Sequence, residues 1–426
     1  MMLMREIDPK HERDEVQWDS EGRWWSAAVN RFSGVTSGLT PPPFVTIVDC
    51  TLREGEEVPG VVLSDEQKIA LAHTIVAAGF KEMEVGYAGV IDEHHALLKA
   101  LKREGLPVTL SSHTRIYGQP EEWKTEIDRN LDAGADLLTM VGSASEVNTA
   151  TTPWLPKEDV PERVGECVAY AKAQGAVVSF GLSDLVRTKL DYILSCYRAA
   201  ANAGADRLYI YDGQGAATPE AAAYLTHLIR DIAGPEVQIG VHVHDTCGLA
   251  LASATRAIMA GASVVDAVPV GLGDGAGITA SEELVAALEV LYGVSTGIDL
   301  SRLVPLCEEV AKALSASVPA TKAVVGENQY RHSIDAHVAA ILRGAWHSWE
   351  VIRPDVLGRT RELQFGFSKL RRGKSGALYA KAQQLGYEPD DSQMDEILER
   401  VREITLRKPY ANEDEVAAII REVFGR

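Results

Sequence analysis

The chain has 426 residues, 42 of them Lys or Arg and 61 Asp or Glu, and a formal charge of −19 without any basic block argues against nucleic acid or an anionic membrane as partner. Hydrophobic residues make up 46% and charged residues 24%, an ordinary globular composition that excludes disorder for most of the chain. No window reaches the roughly 18 uninterrupted apolar residues of a membrane span, and the start, MMLMREIDPKHERDE, lacks the apolar core of a signal peptide, so the expected location is the cytoplasm.

Residues 1–43 read as an N-terminal extension rich in charge and tryptophan (Trp18, Trp24, Trp25), closed by the stiff run Pro41-Pro42-Pro43 and suited to packing on a surface or a partner. From Phe44 onward a helical pattern repeatedly ends in glycine and is followed by a short apolar run, as in IVAAGFKEMEVG and AANAGADRLYIYDG. The glycines, Gly79, Gly105, Gly134, Gly175, Gly204, Gly234 and Gly261, lie about 30 residues apart with one wider step, each placed to end a helix in the left-handed conformation. The runs predict strands at 44–49, 82–85, 108–111, 137–141, 176–181, 207–212, 238–244 and 264–270. Eight strands alternating with helices over residues 44–291 predict an α/β fold, a (β/α)8 TIM barrel with its active site at the carboxyl ends of the strands. An open doubly wound sheet is disfavoured, since no G-x-G-x-x-G follows the first strand.

Residues 292–375 read as a linker subdomain, helical at SRLVPLCEEVAKALSA and loop-rich from Val318 to Gly376. Residues 376–426 read as a C-terminal helical subdomain carrying MDEILERVREI and EDEVAAIIREVF. The five cysteines, Cys50, Cys167, Cys196, Cys247 and Cys307, form no C-x-x-C pair and are expected to be free thiols, mostly buried.

The sharpest chemical signal is V-H-V-H-D-T-C-G at 241–248. Residues two apart on a strand face the same side, so His242 and His244 point together into the barrel mouth and can bind one divalent ion. The first strand runs into D-C-T-L-R-E-G-E-E at 49–57, placing Arg53 and Glu54 at its top. In a closed barrel the first strand adjoins the eighth, with the seventh next along, so Glu54 can complete a site that leaves positions open for substrate.

These motifs, with E-V-G at Glu84–Gly86, G-L-G-D-G-A-G-I-T at 271–279, R-H-S-I-D-A-H at 331–337 and R-R-G-K-S-G at 371–376, give the chain a likeness to one family. Over roughly residues 44–426 it resembles the DRE-TIM metallolyases, which include homocitrate synthase, isopropylmalate synthase and hydroxymethylglutaryl-CoA lyase. The glutamate of R-E-G-E and the G-I-T run are closest to homocitrate synthase, whereas H-D-T is the wording of the lyase. The resemblance implies a divalent ion (Mg, Mn, Zn or Co) on Glu54, His242 and His244, acetyl-CoA as co-substrate, and Arg53 beside the keto oxygen of a 2-oxo acid. It also implies that His332 and His337 reach the active site from the C-terminal subdomain, that of the partner chain in a homodimer.

Four departures bear on the substrate and the base. Where the synthases carry Glu-Asp after strand five, this chain has Ser183-Asp184, so Asp184, with Arg187 behind it, or a histidine such as His332 must act as base. Gly213 stands in Y-D-G-Q-G for a threonine, Asn148 for the arginine that grips the distal carboxylate of 2-oxoglutarate, and Trp349 for a tyrosine. His113 and Arg115 remain to meet an anionic group. The expectation is a metal-dependent Claisen-type condensation of acetyl-CoA with a small polar oxo acid bearing a phosphonate, phosphinate or short carboxylate arm, and not 2-oxoglutarate. The alternatives are a lyase or aldolase cleaving a C–C bond, and an altered paralogue that serves as a binding subunit.

Overall fold

Eight parallel strands close on one another in the computed structural model of the chain, which describes residues 17–19, 21–143, 145, 147, 156–366, 370 and 373–425. They are β1 (Thr46–Asp49), β2 (Glu82–Glu84), β3 (Thr109–Arg115), β4 (Leu137–Ser143), β5 (Val177–Ser183), β6 (Arg207–Asp212), β7 (Gln238–Val243) and β8 (Val264–Ala267). Each pairs with its neighbour in sequence, and β8 returns to β1 with Val264 opposite Thr46 and Ala267 opposite Asp49. The expected (β/α)8 barrel is the observed fold.

The helices between the strands are α1 (Asp65–Ala77), α2 (Asp92–Glu104), α3 (Pro120–Ala133), α4 (Val160–Ala173), α5 (Leu190–Asn202), α6 (Pro219–Ala233) and α7 (Ala250–Met259), with α8 (Ser281–Ala286) after β8. Their starts are set locally: Ser64 and Gln67 form a capping box on α1, and Pro120 and Pro219 occupy first turns where no amide hydrogen is needed. All seven punctuating glycines have positive φ. At Gly79 space matters as well, because a Cβ there would stand 2.7 Å from the Gly297 carbonyl oxygen. Inside the barrel, Val48, Cys50, Tyr209, Tyr211, Val264, Val268 and Ile278 pack into one buried cluster.

The chain divides into two units, the first covering residues 27–318 and the second residues 17–26 with 319–425. The first includes α9 (Leu303–Ala313), at the place where SRLVPLCEEVAKALSA predicts a helix, and the Thr40 amide donates to the Met259 carbonyl at 2.8 Å. In the second, the extension's Trp25 is held by residues far along the chain: its amide donates to Val351 O at 3.0 Å and its indole to Glu350 O at 2.7 Å.

The stretch expected to be loop-rich contains a helix, α10 (Asp335–Leu342). Its sequence, DAHVAAIL, is apolar on nearly every side and so lacks the polar face by which a surface helix is read. Val338 and Ala339 are buried with Phe365, Leu378, Ile397 and Ile420, drawn from β-bridge and helical segments of the same unit. Those helices are α11 (Ala377–Gln384), α12 (Asp391–Thr405) and α13 (Glu413–Val423), the last two opened by capping boxes at Asp390 and Asn412. Four of the cysteines are buried and Cys247 is exposed, all as free thiols. Among the described residues no helix is long and apolar enough to cross a membrane.

Candidate active site

Glu54, His242 and His244 meet at the carboxyl end of the barrel. Glu54 opens a 3-10 turn directly after β1, formed because the amides of Arg53 and Glu54 both donate to Cys50 O, at 3.1 and 2.8 Å. His242 projects inward from β7 and His244 follows the strand's end. Glu54 Oε2 lies 4.0 Å from His242 Nε2, and Oε1 lies 3.7 Å from His244 Nε2, with one donor atom from each residue within 4.8 Å of the other two. The glycine-rich loop after β8 closes over this group. Asp274 N donates to Glu54 Oε1 at 3.1 Å, and a Cβ at Gly273 would stand 2.9 Å from Glu54 Cγ, so only glycine permits the approach.

The donor set fits a divalent ion. His242 Nδ1 donates to Asp266 Oδ2 at 3.0 Å, which leaves the Nε2 lone pair facing Glu54. Burial disfavours the His242 imidazolium, but the bond and charge of Asp266 and the charge of Glu54 outweigh it and hold the pKa above the ordinary value. Burial and the His242 charge hold His244 below it, in the neutral form that ligates. Burial also works against ionised Glu54, yet Arg53 and the two imidazoles keep its carboxyl low and charged. One carboxylate with two imidazoles suits ions of the Mg, Mn, Co and Zn class.

Arg53 is almost buried between two carboxylates, with Nε on Glu84 Oε1 and Nη1 on Glu54 Oε2. Glu84, from the E-V-G motif on β2, is buried too; burial opposes its charge, but Arg53 and His113 hold its carboxyl well below the usual range. His113 Nε2 stands 2.9 Å from Glu84 Oε1, off the line of a good hydrogen bond. A cavity of about 310 Å³ opens beside this group, bordered by Arg53, Tyr87, His113, Tyr211, Gly213 and His242.

The other expected residues divide. Arg115 borders the cavity, with its guanidinium on Glu126 Oε2 at 3.1 and 3.2 Å. Asp184 borders it as well, although β5 runs through Ser183 and strand alternation would turn the next side chain away. A positive φ of 55° breaks the alternation and lets both residues face the cavity. The Asp184 carboxylate accepts from Ser145 Oγ and from Arg187 Nε and Nη2, the latter two at 2.6 and 2.8 Å. Arg187 is thus bound to Asp184 and does not border the cavity. Asn148 lies outside the described residues. His332 and His337 belong to the second unit, where His332 Nε2 meets Glu350 Oε1 at 3.0 Å and His337 stacks on Trp349 at 3.5 Å.

Sequence reasoning passed over Asp266, Glu84 as a partner for Arg53, and Tyr209 and Tyr211 on β6. Tyr209 donates to Asp266 Oδ1 at 2.6 Å, opposite the oxygen that holds His242. Asp266 could have been found as a lone acid within the apolar run S-V-V-D-A-V-P-V, which a buried strand tolerates only with a partner.

Comparison with known proteins follows the same lines. Residues 44–310 match the HMGL-like family model, and residues 324–409 match the homocitrate synthase post-HMGL domain-like model. A putative (R)-citramalate synthase CimA of Methanopyrus kandleri is 34% identical over 386 residues, 91% of this chain and 74% of that one. The homocitrate synthase AksA of the same organism is 32% identical over 382 residues, covering 90% and 93% of the two chains. A probable 2-isopropylmalate synthase of Ignicoccus hospitalis is also 32% identical over 382 residues, with 90% and 93% coverage. Among solved structures, the HMG-CoA lyase of Brucella melitensis superposes with a TM-score of 0.55 at 20% identity, over 64% of this chain and 99% of that one, a likeness of fold.

Proposed function

Because the chain belongs to the HMGL-like family, we propose that it is a divalent-metal-dependent acyltransferase that condenses acetyl-CoA with a 2-oxo acid to give a 2-hydroxy-2-substituted dicarboxylate. The observation that carries this reading is the convergence of Glu54, His242 and His244 beside a cavity that Arg53 also borders. An ion held by the three supplies a Lewis acid for a carbonyl oxygen. Arg53, kept charged by Glu84 and Glu54, is the cation for the alkoxide formed when the acetyl carbon adds to the ketone. His113 and Arg115 meet the anionic arm of the oxo acid. His332 removes the methyl proton of acetyl-CoA, since Asp184 is already occupied by Arg187 and Ser145. Water then cleaves the thioester.

In this reading the enzyme is a cytoplasmic homodimer whose C-terminal subdomain, with His332 and His337, serves the partner's barrel. The oxo acid is short and polar, because Asn148 stands where the grip on a distal carboxylate calls for an arginine, and Arg187 is bound to Asp184. The H-D-T wording at His244–Thr246 favours the lyase direction as a second reading. An altered paralogue acting as a binding subunit has less support, since all three metal donors are present and mutually placed. A panel of 2-oxo acids offered with acetyl-CoA, scored by free thiol and product mass, tests the proposal. 2-Oxoglutarate should be turned over at least about tenfold less efficiently than the best short oxo acid, given the cost of an unpaired buried carboxylate. If it is the best substrate, the assignment of the cavity is wrong.

A further inference from the structure

Alternate positions of β6 send two aromatic rings into the barrel, Tyr209 and Tyr211, stacked at 5.1 Å with 13° between their planes. Glycines on the flanking strands make the room. A Cβ at Gly240 of β7 would stand 2.6 Å from Tyr209 Cζ, and one at Gly181 of β5 would overlap the Tyr211 ring. The rings are therefore matched by the sequence of three adjacent strands.

The two hydroxyls are used differently. Tyr209 donates to Asp266, at 2.6 Å. Tyr211 is only 7% exposed, and among the described residues its hydroxyl has no hydrogen-bond partner. Leaving a buried hydroxyl unpaired is unfavourable. The residue borders the 310 Å³ cavity, and its ring lies 5.5 Å from that of His242. Gln214 borders the same cavity with Oε1 unpartnered among the described residues, and its amide, turned over, offers an NH₂ in the same place.

We propose that Tyr211 contacts the substrate, its phenol donating a hydrogen bond to an anionic oxygen of the 2-oxo acid bound in this cavity. The inference rests on the condensation proposed above and deepens it by naming what the site recognises. A ligand without an oxygen at this point leaves the phenol unpaired and is discriminated against accordingly.

Oxalate, a non-reacting mimic of the 2-oxo carboxylate end, is titrated calorimetrically into Mn-loaded full-length wild type and Tyr211→Phe. The wild type is expected to bind oxalate, and the variant to bind it at least about tenfold more weakly, with Mn content unchanged and a melting temperature no lower than that of the wild type. Equal affinity within twofold, absence of oxalate binding to the wild type, or a variant that fails to fold would each overturn the proposal, the last by making the hydroxyl structural. If the wild type releases no thiol with any oxo acid while oxalate affinity still depends on Tyr211, the condensation reading falls and the contact stands.

Discussion

His242 and Asp266 form a buried pair across β7 and β8, with Nδ1 on Oδ2 at 3.0 Å. The pair decides which imidazole nitrogen faces Glu54, and Tyr209 on the other carboxylate oxygen decides how Asp266 is turned. Asp266→Asn can place an NH₂ opposite Nδ1, which then favours the wrong tautomer. Metal affinity, measured by competition with a chelator, should fall roughly 10–100-fold, as loss of an orienting partner implies. Tyr209→Phe should have a smaller effect in the same direction, because the hydrogen bond to His242 survives it. Unchanged affinity in Asp266→Asn would separate the pair from metal binding.

The three donors themselves give a sharper test. His242→Ala and His244→Ala should each remove metal and turnover together, and the rise in melting temperature on adding a divalent ion should disappear. Elemental analysis and thermal melts with and without ion read this without reference to activity. A double histidine variant that keeps full occupancy places the ion elsewhere.

Asp49 makes a prediction about stability alone. Its side chain is wholly buried at the end of β1, with Oδ1 on the Thr51 amide at 2.9 Å and Oδ2 unpartnered among the described residues. Burial pushes its carboxyl up from 3.8 to about 7. The folded state thus binds a proton that the unfolded state releases. The group's contribution is fully present below 3.8 and is lost as the pH rises through about 7. The change is on the order of 4 kcal/mol. Asp49→Asn should remove this slope, so chemical denaturation at intervals from pH 4 to 8 should show the variant gaining on the wild type as pH rises. Parallel curves would mean that Asp49 is ionised in the fold.

The barrel was legible because each helix ends in a glycine and each following run is apolar, two signals with a direct physical cause. Glu54, His242 and His244 were legible because strand alternation and barrel closure determine which side chains converge. The orienting groups were not. Tyr209 and Tyr211 sit in the run RLYIYD, where any aromatic reads as core, and only the facing Gly181 and Gly240 show that they are placed with care. Asp184 directly follows the last residue of β5, where strand alternation turns a side chain away, and a left-handed residue, invisible in sequence without glycine, brings it round. Helix α10 was missed because eight mostly apolar residues carry no amphipathic period.

The identity of the base is the last test, and the ion pairs of the site narrow it. A group that abstracts a methyl proton from a thioester must have a free lone pair and a pKa near the working pH. Asp184 is poorly suited: its two oxygens already accept from Arg187 Nε and Nη2 and from Ser145 Oγ, so a proton can be taken up only after one of these partners has moved. His332 has a ring nitrogen on Glu350, itself gripped by Arg361 at 2.8 Å, so the imidazole is oriented by a fixed carboxylate while its other nitrogen makes no contact with that carboxylate. His332→Ala should therefore lower solvent deuterium exchange into acetyl-CoA, measured with a non-reacting oxo acid analogue, at least about tenfold, with metal content unchanged. Asp184→Asn should lower it less, and mainly through loss of the Arg187 pair at the cavity wall. Normal exchange in the His332 variant together with abolished exchange in the Asp184 variant assigns the proton to the aspartate, and requires Arg187 to move away from it when substrate binds.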